Sequence, residues 1–228
     1  MNITACILTF NLIVNGREDL FWETHHSLNE AGVTVIPVDN GSGDGTHKIV
    51  EKLGGFCWQG WNTTSGHGTN LCARVALGTN PDLCVLSDDD MVWNLGWADT
   101  LTAWWAEAPD DLMLTGCHLE PFFPWNEPYA KVTYGGTTGL TRASTGAASW
   151  SFRPADWPKI GPIPQQIQGH GDVPACQNVW ANGGRIAQID LATHIGQGKS
   201  IWGNRTGVMY GWDVDPVREL IAEGETVR

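Results

Sequence analysis

The sequence predicts a single α/β domain with a mostly parallel central sheet flanked by helices. Strand-like and helix-like segments alternate repeatedly over the first part of the chain, which is typical of parallel strands joined by crossover helices. Apolar residues make up 42% of the 228 residues, enough for an ordinary buried core. Because neither an internal repeat nor a linker interrupts the chain, we expect one domain over 1–228.

Hydrophobic patterning and turn residues predict the elements one by one. The first part contains strands at 3–10, 33–39, 55–58 and 83–87, helices at 17–31, 46–53 and 70–77, and a loop at 60–69. The second part contains helices at 95–106, 172–184 and 215–223, and strands at 112–117, 130–135, 147–153 and 185–195. Because Pro, Gly and Asn break the segment 112–165, we expect a smaller antiparallel portion in the C-terminal half.

Polar side chains follow three of the predicted strands directly. These are Asn11, Asp39 and the run Asp88–Asp90. Loops at the carboxyl ends of parallel strands form the ligand crevice of such sheets. The three polar positions are therefore expected to converge on one edge of the sheet.

The run LSDDDM needs a compensating charge, because adjacent carboxylates repel one another. A hard divalent cation with oxygen ligands, Mn²⁺ or Mg²⁺, would supply it and could be shared with substrate phosphates. The alternative is a solvated turn or a helix N-cap.

The turn VDNGSGDGT brings the backbone close to a ligand, and Asp39 could accept hydrogen bonds from a nucleobase or ribose. The alternative is an ordinary turn. It is not a phosphate-binding P-loop, because the G-K-[ST] ending is missing.

Composition limits the partners and the compartment. The 13 basic and 25 acidic residues give a net charge of −12, which disfavours nucleic acid as a partner without excluding it. The six cysteines form no C-x-x-C pair, so we expect free thiols in a reducing compartment. Without a signal-peptide pattern or a long apolar run, the expected location is cytoplasmic with no membrane contact. Most of the 13 tryptophans are expected in the core, with a minority lining a cleft.

A set of short motifs occurs in a recognisable order. They are LTFN (8–11), VDNGSGDGT (38–46), GHGTN (66–70), LSDDDM (86–91), NLGW (94–97), TGAASWSFRP (145–154), GHGDV (169–173) and THIGQGKS (193–200). Because these motifs occur in this order over about residues 3–200, the sequence resembles glycosyltransferase family 2. The members of this family are inverting enzymes that use nucleotide-sugars and have the GT-A fold. The resemblance implies a nucleotide-binding half (1–95), an acceptor-binding half (96–200) and a tail (201–228) that either closes over the donor as a lid or simply packs on the domain.

The resemblance also implies roles at the donor site. Asp39 matches the aspartate that contacts the base, usually uracil, and Asp88 and Asp90 match the outer members of a D-x-D motif. Asp90 would be the metal ligand, and Asp88 a ribose or sugar contact. His194 would complete the metal or diphosphate site, unless it is only a surface histidine at a strand end. The other positions assigned to the donor are Thr9, Asn11, Asn70, Asp89 and Arg205, of which Asp89 is the weakest because it is a neighbour of the motif.

Asp172 matches the catalytic base of the family. The family normally has Glu-Asp at this point, whereas this chain has Gly171-Asp172, so a role of that Glu has no counterpart here. Asp172 could also cap the following helix. His170 is a weaker rival for the base.

These inferences predict a metal-dependent inverting glycosyltransferase that uses a nucleotide-sugar, most simply a UDP-sugar. The acceptor is a hydroxyl of a saccharide, a small molecule or a hydroxylated DNA base. One rival is a sugar nucleotidyltransferase, which usually has a Gly-rich basic loop after the first strand, whereas FNLIVNGRED has one Arg. The other rival is a carbohydrate-binding protein without turnover.

Overall fold

A nine-stranded mixed sheet organises the protein. The structure is a computed structural model and describes residues 1–30, 32–60, 64–118, 130–164 and 172–196. The expectations for His170, Arg205, the helix at 215–223 and the lid lie outside the described residues.

The elements alternate along the chain as the patterning predicts. The strands are β1 (Ile3–Thr9), β2 (Val33–Asp39), β3 (Phe56–Cys57), β4 (Leu83–Asp88), β5 (Met91–Trp93), β6 (Leu112–Gly116), β7 (Ala130–Tyr134), β8 (Thr137–Arg142), β9 (Ser149–Phe152), β10 (Arg185–Gln188) and β11 (Ala192–His194). The helices are α1 (Glu18–Leu28), α2 (Thr46–Lys52), α3 (Ser65–Gly78), α4 (Trp97–Glu107), the single turn α5 (Trp157–Ile160) and α6 (Asp172–Ala181).

The main sheet has the strand order β3-β2-β1-β4-β9-β6-β10-β8-β7. Pairing is parallel from β3 to β4 and between β6 and β10, whereas β9 and β8 run antiparallel to their neighbours. The short strands β11 and β5 form a separate antiparallel pair. The predicted mostly parallel sheet with an antiparallel portion in the C-terminal half is thus confirmed.

Apolar side chains cover both faces of the sheet. Along β1, Ile3, Ala5 and Ile7 belong to one core cluster with α1 and α4. Cys6, which points to the opposite face, belongs to a second cluster with α3 and α6. A strand buried on both faces reads as one continuous apolar run, and this is why ITACILTF was recognisable as a strand.

The helices predicted at 17–31 and 172–184 each end three residues earlier than predicted, at Leu28 and Ala181. Two other predicted elements differ more strongly from the structure. Helix α3 begins at Ser65, within the predicted loop 60–69, because the Thr64 hydroxyl accepts a hydrogen bond from His67 N (3.1 Å) and caps the helix. The predicted strand 185–195 is two strands, since the chain leaves β10 at Gln188 and joins β5 from Ala192 onwards. Strands β5 and β8 were not predicted.

The structure also shows the state of the cysteines and the lengths of the helices, which concern the expected free thiols and the expected lack of membrane contact. All six cysteines are free, and five of them are buried. In the described part of the chain no helix is long and apolar enough to cross a membrane.

Candidate active site

Three strands bring the predicted polar positions to one edge of the sheet. In the parallel register, Thr9 of β1 lies beside Asp39 of β2, and Leu8 lies beside Asp88 of β4. Asp39 and Asp88 therefore flank the end of β1 on its two sides. The expected convergence of strand ends is present.

The loops that follow β1 and β2 hold each other in place. Asn11 has a left-handed backbone (φ 50°), its N–H donates to Ser42 Oγ (2.7 Å), and its Oδ1 accepts from Gly43 N (3.0 Å). Asp44 accepts from Val14 N (2.8 Å). These contacts fix the entrance of the crevice between the two loops.

Asp39 is held by the same loop. Its carboxylate accepts hydrogen bonds from the Ser42 hydroxyl and from Ser42 N (3.2 and 3.3 Å). Burial raises the pKa of Asp39, while the Ser42 donors act in the opposite direction. The acid is only 1% exposed, so its carboxylate is held within the protein.

The side chains of Thr9 and Asn70 have partners within the protein. The Thr9 hydroxyl donates to Val38 O (3.2 Å) and is buried. Asn70 Nδ2 donates to Ile163 O, and Asn70 Oδ1 accepts from Ile163 N, both at 2.8 Å. These bonds tie β1 to β2 and α3 to the segment after α5.

The aspartate run lies against a guanidinium and an imidazole. Arg17 Nη2 donates a hydrogen bond to Asp89 Oδ1 and forms an ion pair with Asp90 Oδ2 at 2.8 Å. His194 Nε2 lies 3.0 Å from Asp90 Oδ2. The structure thus brings the predicted pair Asp90 and His194 together, although they are 104 residues apart.

The negative charge of this cluster is only partly balanced. Burial, together with the charge of Asp90, raises the pKa of Asp88 to about 7. Burial likewise raises the pKa of Asp89 to about 7, although Arg17 opposes the rise. Burial would also raise the pKa of Asp90, but the hydrogen bond to His194 and the charge of Arg17 bring it below its ordinary value. That hydrogen bond raises the pKa of His194.

The surroundings of Asp90 fit a cation. Asp90 Oδ1 is buried without a hydrogen-bond partner among the described residues, and an unpaired buried carboxylate oxygen is costly. A Cβ at Gly196 would lie 1.8 Å from Asp90 Oδ2, so only glycine fits beside this carboxylate. Within the described residues no group of three His, Cys, Asp or Glu side chains could hold a metal ion.

Asp172 opens helix α6. Its charge contributes to the raised pKa of Asp88, so the two carboxylates share one electrostatic environment despite their distance in sequence. The role of Asp172 as catalytic base therefore stays a prediction.

Two residues at the site were missed in the sequence. Arg17 lies six residues beyond the end of the LTFN motif and pairs with Asp89, 72 residues away in the chain, and with Asp90. His118 follows β6, its Nδ1 lies 3.2 Å from Ala192 O, and its ring lies 6.1 Å from that of His194. The lone arginine in FNLIVNGRED was the one available signal for Arg17, whereas nothing distinguished His118.

Comparison with known proteins identifies the family and related folds. Residues 4–145, more than half of the chain, match the family model of Glycosyl transferase family 2. The chain belongs to this family. A search of the curated proteins finds no match.

Solved glycosyltransferase structures share the fold of this family 2 chain. Staphylococcus aureus TarS 1–349 superposes with a TM-score of 0.62 at 16% identity, covering 87% of this chain and 62% of TarS 1–349. Its complex with UDP-GlcNAc gives 0.61 at 16% identity, covering 86% and 61%. The mannosyltransferase PcManGT from Pyrobaculum calidifontis, in complex with GDP-Man and Mn²⁺, gives 0.53 at 16% identity, covering 83% and 55%. The chain thus spans about three fifths of the length of TarS 1–349, and at these identities the likeness is one of fold.

Proposed function

We propose that this family 2 glycosyltransferase moves a sugar from a UDP-linked donor to an acceptor hydroxyl, with inversion at the anomeric carbon and with a divalent cation. The observation that carries the proposal is the register that sets Asp39 and Asp88 on either side of the end of β1. In this proposal residues 1–95 bind the nucleotide and residues 96–200 bind the acceptor.

Asp39 is the proposed contact for the base. A buried carboxylate fixed by Ser42 presents acceptor oxygens in one orientation, which suits an N–H of a uracil ring. The complex of TarS with UDP-GlcNAc supports a uridine donor, whereas the GDP-Man complex of PcManGT makes guanosine the natural competitor in the test. Asn11 and Asp88 would line the ribose and sugar side.

Asp90 and His194 are the proposed protein ligands of the cation. The unpaired Asp90 Oδ1 and the incompletely balanced aspartates favour a positive charge at this point. A bound Mn²⁺ or Mg²⁺ would offset the charge that develops on the departing diphosphate. The Mn²⁺ in the PcManGT complex supports this choice of ion.

Asp172 is the proposed general base. It would accept the proton of the acceptor hydroxyl while that oxygen attacks the anomeric carbon and the bond to the diphosphate breaks. Attack from the face opposite the leaving group inverts the configuration. The position of Asp172 at the start of α6 would give the base a rigid mount.

Nucleotide release tests the proposal. The protein is incubated with UDP-GlcNAc, UDP-glucose and GDP-mannose in turn, with Mn²⁺ or with EDTA, and the released UDP or GDP is measured. The expected result is UDP release that requires the cation. Release of GDP alone would overturn the uridine assignment, and equal release in EDTA would overturn the role of the cation.

A further inference from the structure

Helix α1 supports the aspartate run and the strand that follows it. Thr24 Oγ1 accepts a hydrogen bond from Met91 N, and Ser27 Oγ accepts one from Trp93 N, both at 3.0 Å. Arg17, the N-cap residue that directly precedes α1, reaches Asp89 and Asp90. The contacts with residues 89–93 are therefore made by one face, formed by α1 and its N-cap residue.

Arg17 is the charged member of this face. The residue is 9% exposed, and its Nη2 bridges Asp89 Oδ1 and Asp90 Oδ2. Asp89 and Asp90 are themselves 5% and 2% exposed. A guanidinium that contacts two buried carboxylates offsets their mutual repulsion and holds both in one orientation.

The two carboxylate oxygens of Asp90 differ in their partners. Oδ2 receives Arg17 and lies against His194, whereas Oδ1 has no partner among the described residues. We propose that Arg17 is a positioning residue, which neutralises Asp89 and fixes Asp90 so that Oδ1 is kept for the cation. The inference rests on the proposed function and adds to it a residue outside the predicted donor site.

Removal of Arg17 and removal of Asp89 should both weaken binding of the cation, but for different reasons. In Arg17→Met, Asp89 and Asp90 repel each other and lose their orientation. In Asp89→Asn, the Arg17 guanidinium loses its charged partner at position 89 and interacts with Asp90 alone. It then competes with the cation for the Asp90 carboxylate. The double variant removes one charge of each sign, so its site should lie closer to the wild type than either single variant.

Isothermal titration of UDP with and without Mn²⁺ tests this role. Each single variant should lose about tenfold in Mn²⁺-dependent UDP affinity, the size typical of a lost partner behind a metal ligand. The double variant Arg17→Met/Asp89→Asn should recover most of that loss, and Arg17→Lys, which keeps the charge, should retain most of the affinity. Losses that multiply in the double variant, or an unchanged affinity in Arg17→Met, would overturn the proposal.

Arg153→Met is the matched control for a purely structural arginine. Arg153 bonds backbone carbonyls at Ala108 and Pro109 and lies over the Trp105 ring, so its loss should lower the unfolding temperature and leave the Mn²⁺-dependent affinity unchanged. A wild type without Mn²⁺-dependent UDP affinity would count against the proposed function instead. Titration of Mn²⁺ alone into the same variants then decides the role of Arg17, by the same pattern of loss and recovery.

Discussion

Three neighbouring aspartates have three different environments at the scale of single residues. Asp88 ends β4 beside β1, Asp89 is held by Arg17, and Asp90 lies between Arg17 and His194. The carboxylate of the middle residue, Asp89, is thus paired with Arg17. Adjacent aspartates can therefore have different roles, because each has different partners.

Alanine substitutions separate the base contact from the cation contact. Asp39→Ala should weaken UDP binding with and without Mn²⁺, because it removes an acceptor for the base. Asp90→Ala should weaken only the Mn²⁺-dependent part, about 10–100-fold, because it removes a ligand of the cation. Calorimetry in Mn²⁺ and in EDTA measures both, and an Asp90→Ala protein with full Mn²⁺-dependent affinity would exclude Asp90 as the ligand.

Asp172→Asn should separate binding from turnover. The amide keeps the size of the side chain but cannot accept the proton, so the rate of sugar transfer should fall about 10²–10⁴-fold while UDP affinity is retained. Steady-state UDP release and calorimetry are the two measurements. Asp99→Asn, an exposed aspartate on α4, is the control that should leave the rate unchanged. An unaltered rate in Asp172→Asn would remove it as the base.

The residues that the sequence revealed share one property. Asn11, Asp39 and Asp88 lie at or just after the carboxyl ends of neighbouring parallel strands, so topology alone places them at one edge. Arg17 and His118 are recognised as residues of the site only through partners that lie far away in the chain. No local sequence pattern predicts such a pair. Gly196 is similar, because only the packed structure shows that it lies against Asp90.

At the scale of elements, helix α3 shows what limits a boundary prediction. Its first turn contains Gly66 and Gly68, which normally disfavour helix, and a loop was the natural reading. The Thr64 cap and close packing reverse that preference, since a Cβ at Gly68 would lie 2.7 Å from Leu8 Cδ1 and 2.8 Å from Asn40 Nδ2. Strands β5 and β8 were missed because β5 has only three residues and β8 lies within the Gly- and Thr-rich segment TTGLTR.

Two glycine substitutions in α3 test this packing. Gly68→Ala should destabilise the protein by about 1–3 kcal/mol, because the added methyl overpacks the contact with Leu8 and Asn40. Gly78→Ala, where a Cβ meets nothing within 4 Å, should be neutral or stabilising by at most about 1 kcal/mol. Urea unfolding of both variants gives the comparison, and equal free energies of unfolding would contradict the tight contact at Gly68.

At the scale of the whole molecule, the aspartate run couples stability to pH. The pKa of Asp88 and of Asp89 is raised from 3.8 to about 7 by burial, so the folded protein holds protons that the unfolded chain releases between about pH 4 and 7. The contribution of these two groups is therefore fully present below about pH 4 and is lost as the pH rises through 7.

A bound cation should reverse that loss. Protons and Mn²⁺ compete for the carboxylates, and the raised pKa of His194 adds to the competition at low pH. The rise in unfolding temperature on adding Mn²⁺ and UDP should therefore be larger at about pH 8 than at about pH 5. Differential scanning fluorimetry measures it, with Asp90→Ala as the control that should respond little at either pH. An equal rise at both values would argue against a carboxylate site.

The position of β9 has a consequence for synthesis on the ribosome. β4 and β6 run in the same direction, yet β9, made after both, must enter between them. About 60 residues separate the end of β4 from β9, which is on the order of 3–12 s of translation at ~5–20 residues per second. Throughout this time the outer edge of β4 presents unpaired amides and carbonyls to which a neighbouring strand can bind. Premature pairing of β4 with β6 is therefore the misfolded arrangement that a nascent chain must avoid.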